Sequence, residues 1–345
     1  MEKREQKIFY FIAKQGAVSV SEIFQFSFMD EGSLPTLKRV LSKLLSDNII
    51  EITGKGKSTK YKISATYEFF QPINLDTYFE KDIDQRNGRE NYNLQLLDIF
   101  ENTNLFTSNE LQKLDEWQNI FSENIKNFTS LELKKEFDRL AVDLSWKSSQ
   151  IEGNTYTLLE TERLLNEKKT ASGRTKDEAI MLLNHKTALD FIIENPDYLV
   201  PLTISKIEDI HRLLVQDLDV DKNIRHRRVR ITGTNYTPLD NEFQIREEMQ
   251  RLCNLVNLRE NVFEKSLLAL LLLSYIQPFT DGNKRTARIV SNAILLSKHY
   301  CPISFRSVDS LDYKKAMLLF YEQNNLSAFK QIFIDQVQFA VNTYF

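Results

Sequence analysis

Cysteine, proline and glycine are all scarce in this sequence, at two, seven and nine of 345 residues. Cys253 and Cys301 supply neither a disulfide framework nor a Cys-rich zinc site, which predicts a reducing, cytoplasmic setting. So little Gly and Pro excludes collagen-like and low-complexity chains and argues against a turn-rich all-β fold. Long apolar runs are missing too. The longest, Leu267–Leu273, falls far short of the roughly 20 residues that a membrane-spanning helix needs, and reads as a helix buried in a core. The N-terminal MEKREQKIFYFIAKQG lacks an apolar stretch followed by a small-residue cleavage site, so no secretory leader is expected. No membrane partner is expected either. What the chain does hold is 42% hydrophobic residues, including 23 Phe and 13 Tyr. With Leu, Lys, Glu, Asn and Ile plentiful, that composition predicts a mainly α chain. At about 150 residues per domain, the length suggests two or three domains.

The net charge of -3 hides an asymmetry. Residues 1–64 hold eleven Lys and Arg against seven Asp and Glu, whereas the remainder is acidic. A small basic head on an acidic body suggests that the head meets a polyanion. Ile8, Phe11 and Ile12 fall at helical spacing before Gly16; Ser19 or Ser21 is placed to cap a second helix, and Ser33 a third. That third helix carries Pro35 in its first turn and Leu37, Val40, Leu41, Leu44 and Leu45 on one face. IIEIT and KYKIS around Gly54–Lys57 then read as a β-hairpin. Three helices and a basic hairpin resemble a winged helix-turn-helix over residues 1–66. The resemblance implies DNA contact through Thr36, Lys38, Arg39, Ser42 and Lys43 on the third helix and Lys55, Lys57 and Lys60 on the wing. The same module also serves proteins as a docking or dimerising unit. Residues 67–132 read as a polar helical bridge whose chemistry is silent.

The most informative stretch is SYIQPFTDGNKRTARIV, residues 274–290. Pro278 ends an apolar helix, a tight Thr280–Asn283 turn follows, and a new helix opens near Lys284-Arg285. A Gly-bearing turn feeding a helix N-terminus is suited to an anion, because free N–H groups and the helix dipole point at it. Asp281 offers a hard oxygen to Mg²⁺, and Arg285 and Arg288 share a face for phosphates. An Asp-Gly turn joining two core helices is the plainer reading of the turn taken alone.

Pro278, Phe279, Asp281, Gly282, Asn283, Lys284, Arg285 and Arg288 match the signature His-Pro-Phe-x-Asp/Glu-Gly-Asn-Gly/Lys-Arg-x-x-Arg, so the chain resembles the Fic (Fic/Doc, or Fido) family. Upstream, Ser148-Ser149-Gln150-Ile151-Glu152-Gly153-Asn154 resembles the family's inhibitory helix, Ser/Thr-x-x-x-Glu-Gly/Asn, here about residues 145–155. Val229–Pro238 resembles the hairpin flap that docks a target segment, with Val229, Arg230, Ile231, Thr232, Gly233 and Thr234 as its docking residues. The resemblance spans roughly residues 133–333. It implies a helical Fic domain over 133–300, a helical cap over 301–345, and transfer of AMP from ATP to a protein hydroxyl, the chain's own included. By resemblance Asp281 binds Mg²⁺, Gly282 and Asn283 form the anion hole, and Lys284, Arg285 and Arg288 belong to the nucleotide site. Glu152, with Ser148, Gly153 and Asn154 around it, is expected to pair with Arg288 and obstruct the γ-phosphate. An apolar face beside Glu152 is compatible with homodimerisation.

One position departs. The family's leading His, the general base for the attacking hydroxyl, is here Gln277, and a neutral amide takes up no proton near pH 7. His226, just before the flap, is the one His worth considering as a substitute; His185 and His211 read as ordinary helical residues. Lys284 is shared with the Doc branch, whose members transfer the terminal phosphate. Three functions are therefore expected to compete: an autoinhibited adenylyltransferase of weakened chemistry, a non-enzymatic ATP-responsive DNA-binding regulator, and a Doc-like phosphotransferase.

Overall fold

A computed structural model describes residues 1–345 save Glu31 and Ala65; the side chains of Ser27 and Lys57 also lie outside it, so the wing contact expected of Lys57 falls outside the described residues. In the head, α1 (Lys3–Gln15), α2 (Val20–Ile23) and α3 (Leu34–Ser46) precede an antiparallel pair, β1 (Ile50–Thr53) and β2 (Lys60–Ile63), registered Ile50 to Ile63 and Thr53 to Lys60. Ile8, Ile12, Ile23, Leu37, Leu41, Leu44 and Ile50 form a core of the head's own. Ser19 caps α2, accepting from the Glu22 N–H, and Glu22 reaches back to the Ser19 N–H. Ser33 occupies the N-cap position of α3 but does not cap it. Its hydroxyl is engaged with Thr36 Oγ1 at 3.0 Å and accepts no backbone N–H.

The body is helical throughout. Short helices α4 (Tyr67–Phe70), α5 (Leu75–Phe79) and α6 (Leu96–Glu101) lead into α7 (Ser108–Lys126) and α8 (Ser130–Ile151). Then come α9 (Leu158–Glu167), α10 (Lys176–Glu194), α11 (Ile204–Leu214), α12 (Glu242–Leu258), α13 (Val262–Ile276), α14 (Asn283–Leu296), α15 (Ser310–Gln323) and α16 (Ser327–Tyr344). Helix α13 is apolar around its circumference and buried along nearly its whole length, which makes it the central rod. Helix α14 packs along it, and α10, α11 and α12 surround the pair. One apolar cluster runs from Phe69 through Leu271 to Phe345, so the bridge and the C-terminal helices share the core of the middle. No described helix is long and apolar enough to cross a membrane.

The segment 229–238 departs from the expected hairpin. It turns at Thr232–Gly233 but forms no ladder with itself, and β1–β2 is the only ladder among the described residues. Its later half is tied instead to residues 84–91. Thr237 donates its N–H to the Glu90 carbonyl at 2.8 Å, Arg86 donates to the Gly233 carbonyl at 2.9 Å, and Asn235 donates to Asp84 at 3.1 Å. One isolated parallel bridge, Asn91 to Thr237, and the Arg86 side chain satisfy groups that a hairpin would have paired internally.

Candidate functional site

The site is built where α13 stops and α14 starts. Gln277 takes a left-handed conformation (φ +52°) that closes α13, and its N–H still reaches the Leu273 carbonyl at 3.1 Å. The loop that follows is fixed by one side chain: Asn283 donates to the Phe279 carbonyl and accepts from the Phe279 N–H, both at 2.8 Å. Gly282 stands at the N-cap of α14 with φ +81°; a Cβ there would come within 3.3 Å of Val215 and 3.4 Å of the His211 ring. The first backbone bond of α14 is from Thr286 to Gly282 at 2.9 Å, so the N–H groups of Asn283, Lys284 and Arg285 are left for a ligand.

His211 lies beneath this turn. Its ring stacks on Phe279, 3.7 Å between centroids at an angle of 4°, and Nε2 meets the Asp281 carbonyl at 2.9 Å. A carbonyl only accepts, so Nε2 carries the proton. Burial lowers the pKa to about 4, with the carbonyl opposing the shift. His211 is therefore a neutral prop. Nothing in its helical setting announced that contact, which spans seventy residues of chain.

Facing the turn is the C-terminus of α8. Arg288 is fully buried and donates through Nε to Ser148 Oγ at 2.8 Å and through Nη2 to the Ser148 carbonyl at 3.1 Å and Glu152 Oε1 at 2.7 Å. A cation here complements the partial negative charge at the end of α8 and satisfies an orphan carbonyl. Glu152 sits at the C-cap of α8, an adverse place for an anion, and is held by Lys284 at 3.3 Å as well as by Arg288. Burial alone would raise its pKa, but Arg288 and Lys284 more than offset that and bring it down to about 2. Gly153 leaves the helix with φ +100°, and Asn154 anchors the exit by donating to the Glu178 carbonyl at 2.9 Å. The expected pairing of Glu152 with Arg288 is thus present, and Lys284 is a second tether.

Arg285 is buried as well. Nη2 donates to Asp281 at 3.0 Å, while Nε and Nη1 have no partner among the described residues; the same holds for Nη1 of Arg288 and the Tyr313 hydroxyl. Buried donors left without acceptors cost about 1–3 kcal/mol each, so a ligand bearing several anionic oxygens fits this set. Tyr313 and the carboxylate partners of the two arginines, Asp281 and Glu152, line a cavity of about 370 Å³ together with Gln277, Arg230, Lys284 and Tyr321. Asp281 lines it with an exposed carboxylate whose second oxygen, not taken by Arg285, is available to a hard cation. Val229–Thr232 line it as well.

Gln277 donates through Nε2 to the Ser274 carbonyl at 2.6 Å and stands 3.5 Å from the Tyr321 hydroxyl, a phenol that burial keeps protonated. Neither group is a base. His226 is exposed and lines a second cavity with Asp219, Asp221 and Asp281, one that Gln277 does not line. His185 is buried and kept neutral by desolvation and by Arg288 and Arg285. Among residues that sequence reasoning passed over, Arg225 is the most consequential: it donates to the backbone carbonyls of Gln277 (2.6 Å), Arg227 (2.9 Å) and Leu239, tying the flap to the end of α13. Nothing in its Arg-rich run marks it out for such contacts.

In the head, Lys38, Arg39, Ser42, Lys55 and Lys60 are exposed and Thr36 is half-buried. Lys43 is occupied, with its ammonium 2.5 Å from the buried Glu5 carboxylate.

Residues 201–295 match the model of the Fic/DOC family. The chain carries a Fic/DOC domain. Protein adenylyltransferase Fic of Nematostella vectensis is 28% identical over 192 residues, 53% of this chain and 44% of that protein. Its counterpart in Drosophila melanogaster is 28% identical over 163 residues, 46% of this chain and 33% of that protein. The chain thus spans less than half the length of these relatives. In fold it is similar to Fic-1 of C. elegans (TM-score 0.57, 20% identity, 68% of this chain and 71% of that one). It is likewise similar to a Fic domain containing signaling protein of Bacteroides thetaiotaomicron (TM-score 0.55, 24% identity, 68% and 96%).

Proposed function

We propose that the cavity binds ATP with Mg²⁺ and is a protein adenylyltransferase site, locked by Glu152 and lacking a general base at Gln277. The observation that carries this reading is the 2.7 Å pair between Glu152 and Arg288, set beside a helix N-terminus with unused N–H groups and an arginine with unused donors. Gly282, Asn283 and the N-terminal amides of α14 cradle the inner phosphates, and Arg285 and Arg288 take the outer ones. Asp281 holds the Mg²⁺, which neutralises phosphate charge. Glu152 occupies the guanidinium that the outer phosphate needs, so ATP binds productively only when α8 releases it.

In the transfer, a protein hydroxyl oxygen bonds to the α-phosphorus while the bond to the departing pyrophosphate breaks. The hydroxyl proton needs an acceptor. Gln277 offers none, a loss of about 10²–10⁴-fold, while positioning and phosphate electrostatics are retained. The readings of the relatives' names support AMP transfer over Doc-like phosphate transfer. A second reading, an ATP-responsive regulator that binds DNA, is favoured by Gln277 together with the exposed Lys38 and Arg39 of α3.

The test follows α-³²P from ATP onto protein, with ATP binding measured by calorimetry. Glu152→Gly alone is expected to bind ATP and label weakly; Glu152→Gly with Gln277→His is expected to label about 10²–10⁴-fold faster. Label from γ-³²P-ATP in place of α-³²P would establish phosphate transfer. ATP binding with no label from either would favour the regulator, and no ATP binding in any form would sink the nucleotide reading.

A further inference from the structure

We propose that Arg86 is a positioning residue of the cavity. From outside the residues that match the Fic/DOC family, it pins the tip of the segment 229–238 against α15 and so fixes the spacing of two cavity walls. This rests on the reading of the cavity as the site of transfer, and adds what sets its width.

The segment does not hold itself in place. Arg228 and Asp240 close its base at 2.6 Å, while Val229–Thr232, which line the cavity, make no backbone hydrogen bond among the described residues. Its tip is the turn at Thr232–Gly233. Gly233 has φ +89°, and a Cβ there would come within 3.3 Å of Leu318, so the tip lies directly on α15. Leu318 lines the cavity as well, with Tyr313 and Tyr321 of the same helix. Among the described residues one hydrogen bond anchors this tip, from Arg86 Nη2 to the Gly233 carbonyl at 2.9 Å.

Arg86 is itself fixed to α15. Its side chain and that of Glu322, near the end of the helix, are each 4% exposed, with Nη1 3.3 Å from Oε1. The guanidinium lies 4.9 Å from the centre of the Phe79 ring, and Glu322 Oε2 accepts from the Tyr78 hydroxyl at 2.7 Å. No other cation pairs with Glu322 among the described residues. The chain around Arg86 is pressed onto the same place: a Cβ at Gly88 would come within 2.9 Å of the Glu322 side chain, and Arg89 donates its N–H to the Glu322 carbonyl at 2.6 Å. Further ties, Asp76 to Lys315 at 2.7 Å and Asn93 to Asn324 at 2.9 Å, make residues 76–93 a strap along α15. Arg86 is the side chain of that strap that reaches both α15 and the tip. Its planar fork serves a carboxylate and a carbonyl together, a task for which a compact ammonium is poorly shaped. An ion pair that only held the fold together would have no use for the third partner.

The test is limited trypsin digestion of the full chain, with urea unfolding in parallel. The cut after the exposed Arg230 is timed by mass spectrometry against the cut after the exposed Lys55 of the head. Arg86→Met is expected to speed the Arg230 cut at least about tenfold relative to Lys55, because cleavage follows local opening, and to lower the urea midpoint. Arg86→Met with Glu322→Leu removes both buried charges, so the midpoint should return toward that of the unsubstituted chain while the Arg230 cut stays fast. Arg86→Lys should fall between the two. An Arg230 cut that does not change in Arg86→Met, or that slows again in the double variant as stability returns, would overturn the proposal and leave Arg86 a structural ion pair. With Glu152→Gly in place, Arg86→Met should weaken ATP binding severalfold by calorimetry. Unchanged affinity beside a fast Arg230 cut would show that the tie does not reach the cavity, and would equally overturn the proposal. If ATP binds no form of the chain, the adenylyltransferase reading falls while the Arg230 cut still decides whether Arg86 holds the tip.

Discussion

Two of the molecule's helices, α14 and α3, carry clustered cations and are built in opposite ways. Helix α14 presents Lys284, Arg285 and Arg288, whose side chains are 25%, 2% and 0% exposed and are each paired with a carboxylate of the site. Helix α3 presents Lys38 and Arg39 to solvent without such partners among the described residues, and only Lys43 is tied down. The buried set has lost its water and must be satisfied by a specific geometry, so removing one member or its partner is costly and the ligand it accepts is narrowly defined. The exposed set keeps its water, costs little to alter, and attracts any polyanion in a salt-dependent way. On the function proposed above, one helix is a fitted anion socket with its plug in place; the other is a charged face.

The widest separation between the two should come from Arg288→Ala. It strips Glu152 and both acceptors of Ser148 of their main partner, and a loss of about 3–5 kcal/mol in urea unfolding is expected, as for breaking a buried pair. Adding Glu152→Ala should recover about 1–3 kcal/mol, because the stranded carboxylate is then gone. A strictly additive double variant would mean that Glu152 and Arg288 are not coupled, and the socket-and-plug description would fail.

The same contrast explains what could be read from the chain. The turn from Pro278 to Arg288 was legible because local rules govern it: Pro278 stops a helix, Gly282 permits a positive φ, and α14 starts with free amides. Glu152 was legible only through its resemblance to a family motif, since no local rule joins residue 152 to residue 288. The apolar stripe of α3 placed Leu37, Leu41 and Leu44 in the head's core correctly, yet the Ser33 cap failed because the neighbouring Thr36 hydroxyl competes for it. The flap was misread as a hairpin because its later half is tied to residues 84–91 by one isolated bridge and by side chains, in a stretch whose polar composition advertised nothing. The contacts of His211 and Arg225 went unread for a related reason. Their acceptors are backbone carbonyls, which every residue owns and no sequence pattern marks.

A smaller effect should separate the two helices by pH. His211, pressed under the α14 turn, has its pKa lowered to about 4 by burial, against about 6.5 when unfolded. The folded chain therefore stays neutral there while the unfolded chain takes up a proton, so stability falls as pH drops from about 6.5 toward 4. Two and a half pKa units correspond to about 3 kcal/mol at most, with about 2 kcal/mol already lost between pH 7 and pH 5. His185, also kept neutral, adds in the same direction. Glu152, with its pKa near 2, stays ionised throughout that window, so the lock itself does not titrate there. Urea midpoints at pH 7 and pH 5 should converge in His211→Gln, which keeps a donor for the Asp281 carbonyl but cannot be protonated. An unchanged pH dependence would show that the proton goes elsewhere.

The smallest effect on stability belongs to α3, and there the informative quantity is a slope. Lys38→Ala with Arg39→Ala removes two charges that have no ion-pair partner among the described residues, and surface substitutions of this kind stay within about 0.5 kcal/mol. If the head binds DNA through this face, each phosphate contact contributes about 0.9 to the slope of log K against log salt, so the double variant should lower that slope by close to 2. Lys43→Ala tests the distinction from inside the same helix. Its ammonium is held by the buried Glu5, so its loss should destabilise the head while changing the salt slope little. A variant of Lys43 that alters the slope as much as Lys38 does would show that the ion pair opens on DNA. The line between paired and free cations would then have to be drawn by what the head binds, and no longer by what it packs against.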